Sequence, residues 1–176
     1  MDAHVHVFPP EIVCDRESYL GRDARFDALY GSPGARMATA EEVVAEMDAS
    51  GAALSVVFGF AFDDEALCRM VNDYVIEAVG AHPTRLAGLA CVAIHASGAR
   101  AELERCLDAG LRGCGELAPK TGNEDEIAKL APIAACLQER QLPLMIHASE
   151  PVGHQYKGKG RFTPEACIAL AKTYPG

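Results

Sequence analysis

The sequence predicts an α/β fold made of successive parallel βαβ units. Three observations predict it. Short apolar runs of strand length alternate with amphipathic segments of helical period. The alternation repeats at steps of roughly 30 residues. After the first strand, the apolar runs are continuous, as expected of strands covered on both faces. Two closures of such a sheet are open at this point, a doubly wound open sheet or a (β/α) barrel. No glycine-rich phosphate fingerprint follows the first strand, which lowers the dinucleotide-binding option.

The elements follow in order. The stretch Asp2-Ala3-His4-Val5-His6-Val7-Phe8 alternates polar with apolar residues and reads as a strand with Asp2, His4 and His6 on one face. Pro9 to Ala38, with paired prolines, scattered charges and Gly31-Ser32-Pro33-Gly34, reads as a loop near the mouth of a site, with room for a short helix. Thr39 and Glu42 make a capping box, and Ala40, Val43, Val44 and Met47 give an apolar face that ends before Gly51. Ala53 to Phe58 is a buried strand. Asp63 opens a second helix with Leu67, Met70, Val71, Tyr74, Val75 and Ala78 on one stripe. Leu86 to Val92 is the third strand, and Ser97 caps a helix with Leu103, Cys106 and Leu107 inward, stopped by Gly110. Leu111 to Leu117 is the fourth strand, and the helix after it restarts at Pro132, a residue tolerated in a first turn and not in a helix interior. Leu142 to His147 is the fifth strand, and Thr163-Pro164 opens a last helix through Thr173.

The totals bound the function. A chain of 176 residues suits one domain, residues 1–176. Its net charge of −9 argues against a nucleic-acid or anionic-membrane partner, because phosphate binding needs a basic surface. Much of the acid has a local reason, since Glu41 and Glu42, Asp63 to Glu65, and Glu124 to Glu126 sit where helices begin. The seven cysteines form no Cys-x-x-Cys and are odd in number, so they read as reduced, mostly buried thiols of a cytoplasmic protein. No signal-peptide pattern precedes Asp2. The longest nearly apolar run, Ala52 to Phe62, is short of the roughly 20 residues of a membrane helix.

In either closure ligands bind at the carboxyl ends of parallel strands. His4 and His6 end the first strand. Glu116 ends the fourth, after Gly113-Cys114-Gly115, where small residues allow close backbone approach. His147 ends the fifth. Each alone is as readily a rim carboxylate or a hydrogen-bonded histidine. Together they read as a divalent site of nitrogen and oxygen ligands, with Zn²⁺ first and Mn²⁺ or Fe²⁺ open. Such an ion lowers the pKa of bound water toward roughly 7 and polarises a carbonyl. The loop from Ser149 to Gly160 leaves the same rim, and its His154, Tyr156, Lys157 and Lys159, set among glycines, read as an anion-binding lid for a carboxylate on a small-molecule substrate. A solvated loop with incidental lysines is the plain alternative. His82, before Pro83, reads as structural, and His95 as a catalytic-side residue without a pairing partner.

Asp2-Ala-His4-Val-His6, Arg112-Gly-Cys-Gly-Glu116 and Leu142-Pro-Leu-Met-Ile-His147 resemble the amidohydrolase-related (amidohydrolase 2) branch of the metal-dependent hydrolases. That group also contains decarboxylases similar to aminocarboxymuconate semialdehyde decarboxylase. The resemblance runs over nearly the whole chain in motif order. It implies part of a (β/α)8 TIM-type barrel, about five of the eight βα units. It also implies His4, His6 and His147 as metal ligands, with Glu116 a weaker carry-over that binds or bridges the ion. The activity implied is hydrolysis of an amide, ester or lactone, with non-oxidative decarboxylation as the alternative. Relatives continue to a sixth-strand histidine that contacts substrate and an eighth-strand aspartate that binds metal and moves protons. The expectation is therefore a fragment whose proton-transfer residue lies outside it. A catalytically silent chain that self-associates is a third reading. Open parallel edges at strands one and five point to a homo-oligomer.

Overall fold

Five parallel strands stand side by side in the order in which the chain makes them. The structure, a computed structural model, describes residues 1–149, 152–153, 159 and 161–175. The strands are β1 (Asp2–His6), β2 (Ser55–Phe58), β3 (Leu86–Gly88), β4 (Cys114–Leu117) and β5 (Leu144–Ile146). The helices are α1 (Pro10–Cys14), α2 (Ala24–Tyr30), α3 (Ala40–Ser50), α4 (Glu65–Ala81), α5 (Ala99–Asp108), α6 (Glu124–Arg140) and α7 (Pro164–Thr173), with a 3₁₀ turn at Arg16–Tyr19. Val5 lies opposite Val57 and His6 opposite Phe58 between β1 and β2, while Val56 lies opposite Ala87 between β2 and β3. Beyond β3 the chain bridges to β4 at Ala90 and Cys114, with Arg112 N–H donating to Gly88 O and Gly115 N–H to Ala90 O, both at 2.8 Å. Cys114 pairs with Leu144 and Leu117 with Ile146 between β4 and β5. A doubly wound sheet reverses direction after its first units. This one does not, so of the two closures the sequence left open the structure is the wall of a partial (β/α)8 barrel.

The elements form for local reasons that the packing completes. Thr39 accepts Glu42 N–H at 3.3 Å while Glu42 accepts Thr39 N–H at 2.8 Å, the predicted capping box. Gly51 ends α3 at φ 75°. The main core gathers Val57, Phe58, Leu86, Ala90, Leu103 and Leu117 among others. A second cluster, Phe8, Ile12, Phe26, Phe60, Phe62 and Val71, is built from residues just past β1 and β2 together with α1, α2 and α4. Among the described residues β5 pairs on one side only, with β4. An apolar groove of about 430 Å³ lies between β5, α6 and α7. No described helix is long and apolar enough to cross a membrane. The cysteines are free thiols, five of them buried, with Cys14 exposed and Cys167 half-buried.

Several sequence expectations need correction. The stretch 9–38, expected as a loop with room for one short helix, carries more: α1, the 3₁₀ turn and α2. The helix after β4 does not restart at Pro132. It runs unbroken from Glu124 under an Asn123 cap, with Pro132 inside. The stripe Leu130, Ile133, Ala134 and Leu137 is buried straight through the proline. At about 1.5–3 kcal/mol per large apolar side chain, that burial outweighs the roughly 3 kcal/mol an interior proline costs. Asp64, not Asp63, caps α4. Ser97 caps nothing; α5 starts after Gly98, whose N–H is taken at 3.0 Å by Glu65 of α4. His95 does have a partner, with Nε2 3.4 Å from the buried Glu126. All five strands are shorter than the apolar runs that announce them.

Candidate metal centre

His4 and His6 leave β1 on the same face, their ring centroids 5.3 Å apart. Phe58 of β2 meets both rings edge-on, at 5.0 and 4.8 Å. The His6 Nδ1–H donates to the Gly59 carbonyl at 2.8 Å. That bond fixes the tautomer and leaves the Nε2 lone pair for the site.

Glu116 is the hub. From β4 its Oε2 stands 3.7 Å from His4 Nε2 and 3.6 Å from His6 Nε2. Its other oxygen, Oε1, accepts His147 Nδ1–H at 3.1 Å. Burial pushes the carboxyl pKa up, but the His147 hydrogen bond and the nearby His6 and His4 imidazoles outweigh it and hold it at about 2. The same hydrogen bond raises His147, against burial and the positive charge of Arg25. The carboxylate is 17% exposed, whereas His4 is 50% and His147 46% exposed, so the cluster opens to solvent on its imidazole side.

Glycine explains how β4 delivers Glu116. A Cβ on Gly113 would stand 2.6 Å from the Pro143 carbonyl oxygen. One on Gly115 would stand 2.5 Å from Met145 Cβ and 2.6 Å from Met145 O, at φ +143°. Only glycine lets the two strands approach this closely, which is what the small-residue reading anticipates.

The donor set fits a divalent ion. The ligand atoms of His4, His6 and Glu116 lie within 4.8 Å of one another. The two carboxylate-to-imidazole spacings, 3.6 and 3.7 Å, are near the roughly 3.4 Å edge of a tetrahedron with about 2.1 Å bonds. Two imidazoles and a carboxylate suit Zn²⁺, Mn²⁺ or Fe²⁺. Of the sequence candidates, then, the structure brings His4, His6, Glu116 and His147 together. His154, Tyr156 and Lys157 lie outside the described residues. Lys159 is half-buried, with its ammonium close to Gly153.

Sequence reasoning left room for a short helix between Pro9 and Ala38 but did not place α2 or single out its residues. Asp23, 5% exposed, accepts Arg25 N–H at 2.8 Å, Phe26 N–H at 3.1 Å and Asp63 N–H at 3.0 Å, tying this helix to the segment after β2. Arg25 donates to the Ala61 carbonyl and sets its guanidinium 5.0 Å over the Phe60 ring. Tyr30 packs on Phe8 at 5.0 Å and Phe60 at 6.1 Å, and those two rings also flank His6, at 6.4 and 6.5 Å. Burial, helped by the Glu116 charge, pushes the Tyr30 phenol up to about 12. The signal was present: an Asp cap followed by Phe26 and Tyr30 at i, i+4 spacing.

Solved structures share this architecture. A 5-carboxyvanillate decarboxylase from Sphingomonas paucimobilis superposes with a TM-score of 0.73 at 21% identity, over 99% of this chain and 64% of that one. The 5-carboxyvanillate decarboxylase of Novosphingobium aromaticivorans, complexed with manganese and 4-hydroxy-3-methoxy-5-nitrobenzoic acid, gives 0.68 at 21% identity, over 99% and 54%. A dihydroxybenzoic acid decarboxylase from Polaromonas sp. JS666, with bound manganese and 2-nitroresorcinol, gives 0.61 at 17% identity, over 99% and 62%. These likenesses show the fold, and the chain spans less than two thirds of each neighbour. No curated protein matches it. The family model described as Amidohydrolase matches residues 1–176, the whole of the chain, which therefore belongs to the amidohydrolase family.

Proposed function

We propose that this chain carries the divalent-metal centre of an enzyme that removes carbon dioxide, without oxidation, from a small aromatic or unsaturated carboxylic acid. The observation behind it is the convergence of His4, His6 and His147 on the Glu116 carboxylate beside a wall of Phe8, Phe58 and Phe60. His4, His6 and His147 would hold the ion by nitrogen and Glu116 by oxygen. Zinc suits the nitrogen-rich set, and manganese, present in two of the neighbours above, is the other first candidate. When bound, the ion supplies positive charge that fixes a carboxylate and polarises a neighbouring oxygen. The phenyl rings, buried beneath the cluster, back the imidazoles and keep water from behind them. Arg25 adds positive charge over Phe60. The segment with His154, Tyr156, Lys157 and Lys159 is assigned to the anionic end of the substrate, on its place in the chain after β5. The unpaired edges of β1 and β5, among the described residues, support self-association.

Hydrolysis of an amide, ester or lactone is the second reading. The Glu116–His147 contact favours it, because a carboxylate–imidazole pair can take a proton from an attacking water. The test begins with elemental analysis of the purified chain, expected to hold about one ion per molecule. Replacing both His4 and His6 with alanine should empty it, and unchanged metal content would overturn the assignment. Carbon dioxide release from benzoic and unsaturated acids, against ammonia or acid release from amides and lactones, then separates the two chemistries.

A further inference from the structure

Two tyrosines of this protein use their hydroxyls differently. Tyr74 on α4 accepts Ala40 N–H at 2.7 Å and donates to Glu41 Oε2 at 3.1 Å, so its hydroxyl is spent on the start of α3. Tyr30, at the end of α2, has its ring fixed by Phe8, Phe26 and Phe60 at 5.0, 5.1 and 6.1 Å. The side chain is half-buried, and its hydroxyl, open to solvent, has no hydrogen-bond partner among the described residues. The place is informative. Tyr30 and His6 rest on the same two rings, Phe8 and Phe60, so this uncommitted donor belongs to the wall of the metal centre. Arg25 of the same helix puts its guanidinium 5.0 Å over Phe60, which makes an anionic oxygen the acceptor that this wall favours.

We propose that Tyr30 is a specificity-determining residue of the site, its hydroxyl donating a hydrogen bond to a carboxylate oxygen of a substrate held at the metal centre. This rests on the reading of the cluster as a metal centre for a carboxylate-bearing substrate. The phenol, pushed up to about 12 by burial and by Glu116, keeps its proton throughout the neutral range and so remains a donor.

The test uses the full 176-residue chain and calorimetric titration of Mn²⁺, benzoate and benzyl alcohol. Tyr30→Phe removes one oxygen and keeps the ring. Mn²⁺ affinity and melting temperature should stay as in the parent, benzoate should weaken about tenfold or more, as for a charge-assisted hydrogen bond, and benzyl alcohol should be unaffected. Tyr74→Phe should do the reverse, lowering the melting temperature with benzoate unchanged. Equal benzoate affinity in the parent and Tyr30→Phe overturns the role given to Tyr30, as does failure of the Mn²⁺-loaded parent to bind benzoate. Failure to bind Mn²⁺ overturns the metal centre instead, and the same benzoate comparison on the metal-free chains still decides Tyr30.

Discussion

Gly115→Ala tests whether the closeness of β4 and β5 is what assembles the centre. The new Cβ would stand 2.5 Å from Met145 Cβ and 2.6 Å from Met145 O. Because the second of these is backbone, no rotamer change relieves it, and one strand has to move. Restoring ordinary contact at about 3.4 Å requires a shift of about 0.8 Å. Applied to the Glu116–His147 bond, now 3.1 Å, such a shift takes it to about 3.9 Å, beyond hydrogen-bond range. Backbone strain at φ +143° costs about 1–3 kcal/mol and overpacking about 1–3 kcal/mol more, so the variant should lose about 2–6 kcal/mol. Gly80→Ala is the control. Gly80 lies within α4 where a Cβ meets nothing within 4 Å, and that change should gain about 0.4–1 kcal/mol. Urea titrations read the stabilities, and Mn²⁺ titration should show weaker binding in Gly115→Ala and parent-like binding in Gly80→Ala. A Gly115→Ala protein within about 0.5 kcal/mol of the parent, with Mn²⁺ affinity intact, would refute the argument.

Two further expectations concern the scaffold. Burial pushes the Glu102 carboxyl up, yet hydrogen bonds from Arg105, Asn72 and Cys106 prevail and leave it below its ordinary value. A depressed folded-state pKa contributes stability above the ordinary value of about 4.5 that is lost as pH falls below it. Glu102→Gln should therefore cost about 1–3 kcal/mol at pH 7 and shrink the loss of stability between pH 5 and pH 3, measured by urea titration across that range. Pro132→Ala should stabilise the chain by about 2–2.6 kcal/mol, the interior-proline cost of about 3 kcal/mol less the roughly 0.4–1 kcal/mol of unfolded-state entropy that proline removes. A fall in melting temperature on that change would show that the proline serves α6 in another way.

The legible parts of the molecule were those whose signal is local. His4 and His6 stand out because a strand spaces like residues by two. Glu116 stands out because it follows Gly113 and Gly115, and His147 because an apolar run ends on it. Thr39 and Glu42 satisfy each other within one turn, so the start of α3 is legible from its own residues, although Tyr74 of α4 also accepts the Ala40 N–H. The failures lie where distant groups do a local job. Glu65 of α4, rather than Ser97, takes the Gly98 N–H at the start of α5. The buried stripe of α6 carries it through Pro132. At seven residues, α2 shows only an Asp cap and one i, i+4 aromatic pair, and it is held by Asp63 N–H on Asp23 and by aromatic packing on Phe60 and Phe62. Arg25 and Tyr30 became visible only with that packing.

The centre is itself evidence about the sheet. Neighbouring strands stand about 4.8 Å apart, so in a flat sheet β1 and β4, three positions apart, would be separated by roughly 14 Å. Side chains on a flat sheet stand perpendicular to it and do not lean across two intervening strands. Yet Glu116 of β4 lies 3.6 Å from His6 of β1. The sheet therefore curls, and its inward-facing side chains converge as they do in a barrel. Curvature also explains why the cluster joins β1 to β4 and β5, whereas the neighbouring β2 contributes only the apolar Phe58 beneath the two imidazoles. The histidines and the carboxylate are fixed by sequence, but their meeting is set by β2 and β3. Close packing there, as at Gly88 under Leu111, Val75 and Val79, bears on the proposed metal centre as directly as its four polar side chains do.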